Sequence, residues 1–226
     1  MNWQFLSPKL NGFETEILGA DQTACVISSV QDYRQELHPK EAKELASMAE
    51  IRQIGFSSGR YCAQRAQASL GLDIQPVGRS QRVPIWPDHC VGSISHSTTI
   101  AAALVSKNFK SVGIDIEETG RVEEKLYRIL FTEFEKELIS QSNPAHSGLD
   151  AAAIIFSAKE AGYKAIYPLG RKFIGFQEAE ILLQPEQQTF SIRYLGKHEP
   201  NKALNAGKGY WQIHAGHVLT IFTIGI

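Results

Sequence analysis

At 226 residues the chain is long enough for one large domain or two small ones around a substantial core. Hydrophobic residues make up 43% and charged residues 21%, the balance of an ordinary soluble globular protein. The formal net charge of −1 gives no global field toward nucleic acid or an acidic membrane, so any anion binding must come from local clusters.

The opening stretch MNWQFLSPKLNGFE lacks the basic start and apolar run of a signal peptide, and no apolar run approaches the ~20 residues that cross a bilayer. Cys25, Cys62 and Cys90 are widely spaced and odd in number, the pattern of reduced cysteines and not of a disulfide frame or zinc site. A cytoplasmic protein with no membrane or nucleic-acid partner is expected.

Residues 38–71 read as helix, with Pro39 near the first turn and Gly71 as the stop. Gly55 and the SSG at 57–59 are expected to break it into two helices. The apolar runs 100–106 and 111–117, separated by KNFK, predict a hairpin or a tight crossover. Residues 121–139 are helical in period, with Leu126, Ile129, Leu130, Phe134 and Leu138 on roughly one face. Residues 141–148 read as loop, and 150–167 as a second strong helix closed by Pro168 and Gly170. Strand-like segments follow, paired around PEQQ and around Ala215-Gly216. The class is α+β, with helices packed on antiparallel sheets. Helix followed by strands occurs in both halves, which hints at two similar lobes meeting near residue 112.

Four stretches carry candidate chemistry. In VGIDIEE, residues 112–118, Val112, Ile114 and Ile116 alternate onto one face, leaving Gly113, Asp115 and Glu117 on the other. Two strand positions rise about 6.6 Å, so the two carboxylates stand side by side and require solvent or a cation. A wet edge strand is one reading. A Mg²⁺ site is the other, since that ion takes one or two carboxylates plus phosphates and water, with the Ile116 carbonyl as a further oxygen.

Glu160 and Lys164, in FSAKEAGYKA, are four apart on one helix face, which suits a surface ion pair of about 0.3–0.5 kcal/mol equally well. Lys159 falls on a neighbouring face and is expected to be a solvated flank. GSISHS, residues 92–97, places Ser95 and His96 at a strand end, where a histidine serves as a structural hydrogen-bonder or as a ligand contact. Arg52 and Arg60 are about two turns apart on one side of a continuous helix, and GRSQRVPIWP adds Arg79 and Arg82 in a loop. Each of these arginines also reads as plain surface charge.

The order GSISHS, VGIDIE, FSAKEAGYK resembles the 4′-phosphopantetheinyl transferases, in the larger two-lobed class that serves surfactin and enterobactin synthetases. The upstream run IRQIGFSSGRYCAQRA with PIWP is similar to the enterobactin-type branch. The resemblance covers roughly residues 52–164. It implies two related α/β lobes with pseudo-twofold symmetry, 1–112 on the adenosine and 3′-phosphate side and 113–226 carrying the acids and the KE helix, with coenzyme A in the cleft between them.

The activity it implies is transfer of the phosphopantetheine arm of coenzyme A to a serine of an apo-carrier protein (acyl, peptidyl or aryl), releasing 3′,5′-adenosine bisphosphate. The enzyme would be a monomer serving nonribosomal peptide, polyketide, antibiotic or siderophore synthesis. By the resemblance, Asp115, Glu117 and the Ile116 carbonyl hold Mg²⁺ against the pyrophosphate, and Glu160 shares the metal or takes the serine proton. Lys164, Ser95 and His96 contact phosphates, Arg52 and Arg60 grip the adenosine end, and Arg79 or Arg82 supplies another contact. Glu135 in FTEFE matches a further metal-site glutamate, with Glu133 as the neighbouring alternative. Gln64 stands where relatives often carry arginine, followed here by Arg65. Two rivals are a Mg²⁺-dependent pyrophosphohydrolase, which needs no acceptor, and a silent carrier-binding module, which has no chemical need for all four of Asp115, Glu117, Glu160 and Lys164.

Overall fold

A computed structural model of the chain describes residues 15–19, 22–80, 83–142 and 150–226. The chain divides into two compact units, Met1–Lys110 (with Ile226) and Ser111–Gly225. The class is α+β, as the sequence predicts.

In the first unit, β1 (Thr15–Gly19) and β2 (Thr23–Ser29) form a hairpin, followed by α1 (Pro39–Leu45) and α2 (Glu50–Ser69). Next come the short pair β3 (Gly78–Ser80) and β4 (Val83–Ile85), then β5 (Val91–His96) and β6 (Ile100–Ser106). The main sheet runs β1-β2-β6-β5, all antiparallel. Alternate residues of β2 (Ala24, Val26) and β6 (Ala101, Ala103, Val105) pack on Cys62, Ala63 and Ala66 of α2. Small side chains on both surfaces let helix and sheet approach closely.

The same smallness overturns the expected break in α2. The helix runs unbroken through Gly55, Ser57, Ser58 and Gly59, all buried, and the interruption falls at Ala46–Ala49 instead. A Cβ on Gly59 would stand 2.6 Å from Ile94 Cγ2, so this glycine serves packing and not a turn. Helix propensity costs only about 1 kcal/mol per glycine, which burial of the face readily offsets.

The second unit opens with β7 (Ser111–Glu118), then α3 (Tyr127–Leu130), α4 (Glu133–Gln141) and α5 (Ala151–Gly170). Strands β8 (Ala179–Gln184), β9 (Thr189–Tyr194), β10 (Lys208–His214) and β11 (His217–Ile224) complete it. Its antiparallel sheet has the order β7-β11-β10-β9-β8. The β10–β11 turn is the one the sequence predicts: Ala215 and Gly216 both have positive φ, 47° and 75°, as a type I′ hairpin requires.

Of the two connections expected between runs 100–106 and 111–117, the hairpin is not formed. β6 pairs with β2 and β5, whereas β7 pairs with β11. The two units repeat one topology: the strand before the long helix (β2, β7) pairs with the last strand (β6, β11), whose other side pairs with the one before it (β5, β10). Each long helix has 20 residues and lies on that first pair of strands, α2 on β2 and β6 and the long helix of the second unit on β7 and β11.

The single helix expected over 121–139 is also divided. Phe131 is extended and Thr132 caps α4, its hydroxyl accepting from Glu135 N while Glu135 reaches back to Thr132 N. α5 is capped by Asp150 and continues through Pro168 to Gly170, beyond the expected stop at 167. Among the described residues no helix is long and apolar enough to cross a membrane.

Candidate active site

β7 is an edge strand, but its acidic face is not a wet one. Gly113, Asp115 and Glu117 face α5, and Asp115 is 4% exposed. Gly113 permits this contact, since a Cβ there would meet the Ala161 carbonyl oxygen of α5. The helix thereby brings Ser157, Glu160 and Lys164 over the strand.

Asp115 is held from both sides. Its Oδ1 accepts from Lys164 Nζ at 2.7 Å and its Oδ2 from Ser157 Oγ at 2.9 Å. Lys164 also donates to the Ile114 carbonyl at 3.1 Å. Carbonyls two apart on a strand point to the same side, so that of Ile116 faces the side from which Lys164 approaches. The Lys164 ammonium therefore neutralises the strand across the interface, beyond what an i,i+4 surface pair within α5 would do.

One ammonium does not balance three carboxylates. Burial and then the charge of Asp115 push the Glu117 carboxyl up to about 7, with Glu160 adding to the rise and Lys164 and Arg121 opposing it. Glu160 is raised in the same way, by burial first and Asp115 second. Both glutamates thus sense negative charge that the protein leaves uncompensated. Hard oxygen donors with excess negative charge suit Mg²⁺ or a similar cation. Among the described residues no three His, Cys, Asp or Glu side chains close on one point as a complete cage. Mg²⁺ does not require one, because substrate phosphates and water ordinarily fill its remaining positions.

Glu135 does not belong to this group. It is fully buried, with Oε1 accepting from Ile181 N at 2.7 Å and Oε2 from Thr132 N at 2.8 Å and Lys159 Nζ at 2.7 Å. Its oxygens are consumed in capping α4 and tying it to β8, which corrects its expected place as a metal ligand. Lys159, expected as a solvated flank, is 4% exposed and donates also to the carbonyls of Leu130 (2.8 Å) and Phe176 (2.6 Å). Its three protons have three acceptors. Glu133, the neighbouring alternative, is exposed and pairs with Lys136.

In the first unit, Ser95 and His96 divide between the faces of β5, as consecutive strand residues must. Ser95 is buried, and His96 is exposed with its ring against Gly55, where a Cβ would stand 2.8 Å from Cε1. The missing side chain at Gly55 is what makes room for the imidazole.

Arg52 and Arg60 do not share one side of α2. Eight residues at 3.6 per turn leave them about 80° apart. Arg52 is exposed, whereas Arg60 is 5% exposed, stacked 4.6 Å over the Phe56 ring with Nε 3.5 Å from Glu41 Oε1. Burial lowers the pKa of Arg60 while Glu41 and Glu44 oppose that fall.

Glu41, which sequence reasoning passed over, is the hub here. It accepts from His38 N at 3.2 Å, Val77 N at 2.9 Å and Gln64 Nε2 at 3.3 Å. Gln64, at the position where arginine is frequent in the family it resembles, therefore serves this carboxylate. Arg79 approaches Glu44 at 3.9 Å, and Arg82 lies outside the described residues. The signal for Glu41 was available: it is the third helical residue after His38, where a capping glutamate belongs. Ser157 falls inside FSAKEAGYK without being singled out by its spacing, and no pattern in the sequence marks Thr220.

An acid pair on a strand is answered here by a Glu/Lys helix laid across it, and comparison with known proteins specifies the class. The chain belongs to the 4′-phosphopantetheinyl transferases: residues 40–106 match the 4′-phosphopantetheinyl transferase N-terminal domain family and residues 111–221 the 4′-phosphopantetheinyl transferase superfamily. It is 33% identical over 196 residues to the 4′-phosphopantetheinyl transferase Npt of Nocardia iowensis, covering 81% of this chain and 87% of that one. It is 31% identical over 193 residues to the 4′-phosphopantetheinyl transferase Svp of Streptomyces mobaraensis, 83% of this chain and 78% of the relative. Enterobactin synthase component D of Escherichia coli K12 is 31% identical over 145 residues, 61% of this chain and 68% of its own length.

Proposed function

We propose that this transferase moves the 4′-phosphopantetheine arm of coenzyme A onto a serine hydroxyl of an apo-carrier protein, with Mg²⁺ required. The observation that carries the reading is the convergence of Asp115, Glu117 and Glu160 around Lys164, with both glutamates left short of positive charge.

In this reading the serine oxygen forms a bond to the phosphorus that carries the pantetheine, and the bond from that phosphorus to the departing 3′,5′-adenosine bisphosphate breaks. Glu160 takes the serine proton. General-base help of this kind is worth roughly 10²–10⁴-fold. Asp115 and Glu117, with the Ile116 carbonyl, would hold Mg²⁺, which when bound neutralises charge gathering on the leaving phosphate. Lys164 adds a fixed positive charge, preorganised by Asp115 and the Ile114 carbonyl before substrate arrives. Ser95, His96, Arg52 and Arg79 are assigned to phosphates of the coenzyme on their chemistry alone. Arg60, buried against Glu41, is assigned to holding α1 on α2.

Similarity to enterobactin synthase component D supports carriers of siderophore or nonribosomal peptide assembly as acceptors. A monomer working in the reducing cytoplasm is proposed as well, a setting that suits three cysteines which are all free and buried.

Intact-mass spectrometry of apo-carriers incubated with coenzyme A, Mg²⁺ and the enzyme tests the proposal. A gain of one phosphopantetheine on the serine is expected, with negligible coenzyme A cleavage when no carrier is present. Cleavage without an acceptor would instead establish the pyrophosphohydrolase.

A further inference from the structure

Asp115 is anchored by more than Lys164. β11 presents Val218, Phe222 and Ile224 to the core, and the one polar member of that row is Thr220. Thr220 is the register partner of Asp115 across the β7–β11 ladder. Ser157, on the overlying helix, bridges the two: its Oγ lies 2.9 Å from Asp115 Oδ2 and 2.8 Å from Thr220 Oγ1. Thr220 Oγ1 is also 2.9 Å from the Ser157 carbonyl oxygen. Ser157 and Thr220 are both fully buried.

Two hydroxyls carry two protons for these three contacts. Asp115 is acceptor-only when ionised, so the Ser157 proton goes to its carboxylate. Thr220 then donates to Ser157, through its Oγ, its carbonyl or both. The chain Thr220→Ser157→Asp115 is head to tail, and each link polarises the next toward the charge. An apolar pair would satisfy the packing at this depth equally well, so the hydroxyls answer to Asp115.

We infer that Ser157 and Thr220 are positioning residues which fix the orientation of the Asp115 carboxylate for a divalent cation. One oxygen is turned to the buried hydroxyls and the other to Lys164, which holds the carboxylate in a single orientation. This rests on the proposed metal role of Asp115. Groups that hold ligating carboxylates typically contribute ~10–100-fold to metal affinity.

The test uses Mn²⁺ as the probe, its binding followed by electron paramagnetic resonance with coenzyme A present and no carrier. Ser157→Ala and the near-isosteric Thr220→Val are expected to weaken Mn²⁺ binding by about 10-fold or more, while Thr220→Ser, which keeps the hydroxyl, stays within a few-fold of the parent. In carrier loading, the Mg²⁺ concentration for half-maximal rate should rise in parallel while the KM for coenzyme A holds within about twofold. A purely structural role would lower thermal stability and leave that ratio untouched. Should folded Thr220→Val and Ser157→Ala bind Mn²⁺ as tightly as the parent, the inference is overturned and the proposed function stands. Failure of the parent itself to bind Mn²⁺ would overturn the metal reading as well.

Discussion

Gly113 lies so close beneath Ala161 that a Cβ on it would overlap the Ala161 carbonyl oxygen and stand 2.9 Å from Ala165 N. Backbone meets backbone there, so neither side can swing aside as a flexible side chain would. Gly113→Ala must push α5 off β7, and with it Ser157, Glu160 and Lys164. A loss at or above the top of the ~1–3 kcal/mol range for overpacked cores is expected in urea denaturation, together with loss of carrier loading. Unchanged stability would mean that helix and strand are further apart than this contact requires.

Asp115→Asn keeps the shape of the side chain and removes its charge. Carrier loading should fall on the order of 10²–10³-fold, the scale of removing one preorganised electrostatic group, with the circular dichroism spectrum unchanged. Lys164→Met should also reduce loading, and its defect should grow at low ionic strength, where the parent gains most from the ammonium. A defect in Lys164→Met that ignores salt would argue against contact with phosphate.

Glu117 ties stability to pH. Its carboxyl is pushed from an ordinary value of 4.5 up to about 7, so between those limits the folded protein binds more protons than the unfolded chain. Stability from this group is therefore greatest below about pH 4.5, falls as pH rises to about 7, and is level above. In metal-free buffer, Glu117→Gln should be more stable than the parent at pH 8, with the gap closing toward pH 5. Urea midpoints across that range measure it, and parallel curves for the two proteins would contradict the shift.

The Glu135–Lys159 pair makes a prediction that separates structure from catalysis. Removing one partner of a buried pair strands the other charge, so Lys159→Met alone should cost about 3–5 kcal/mol. The double variant Glu135→Gln, Lys159→Met, which removes both charges and keeps an acceptor for a backbone N–H, should recover part of that loss. Where the double variant folds, its Mg²⁺ requirement should match the parent's, because Glu135 spends its oxygens on Thr132, Lys159 and Ile181. A changed Mg²⁺ requirement would return Glu135 to the metal site.

Much of this protein is local in origin and can be read from its order of residues. The alternation in VGIDIEE puts Asp115 and Glu117 on one face, and the spacing of Glu160 and Lys164 puts both on one side of a helix. The hairpin at Ala215-Gly216 follows from turn chemistry. In each case the periodicity of the backbone, 2.0 or 3.6, acts within a few residues and needs no distant partner.

What distant partners decide is only in the tertiary structure. Whether the face of Asp115 is wet or covered depends on α5, more than forty residues away in sequence, and on the absence of a side chain at Gly113. The persistence of α2 through Gly55 and Gly59 depends on what β5 places against them, and propensity alone argues for a break. Glu135 reads as a further metal-site glutamate and Lys159 as a solvated flank, yet their burial is fixed by α4, β8 and the carbonyls of Leu130 and Phe176. Composition and period set which groups a chain can offer along one face. Burial and charge balance are sums over segments remote in sequence, so only the packed fold settles which carboxylates are consumed in holding it together and which remain for chemistry.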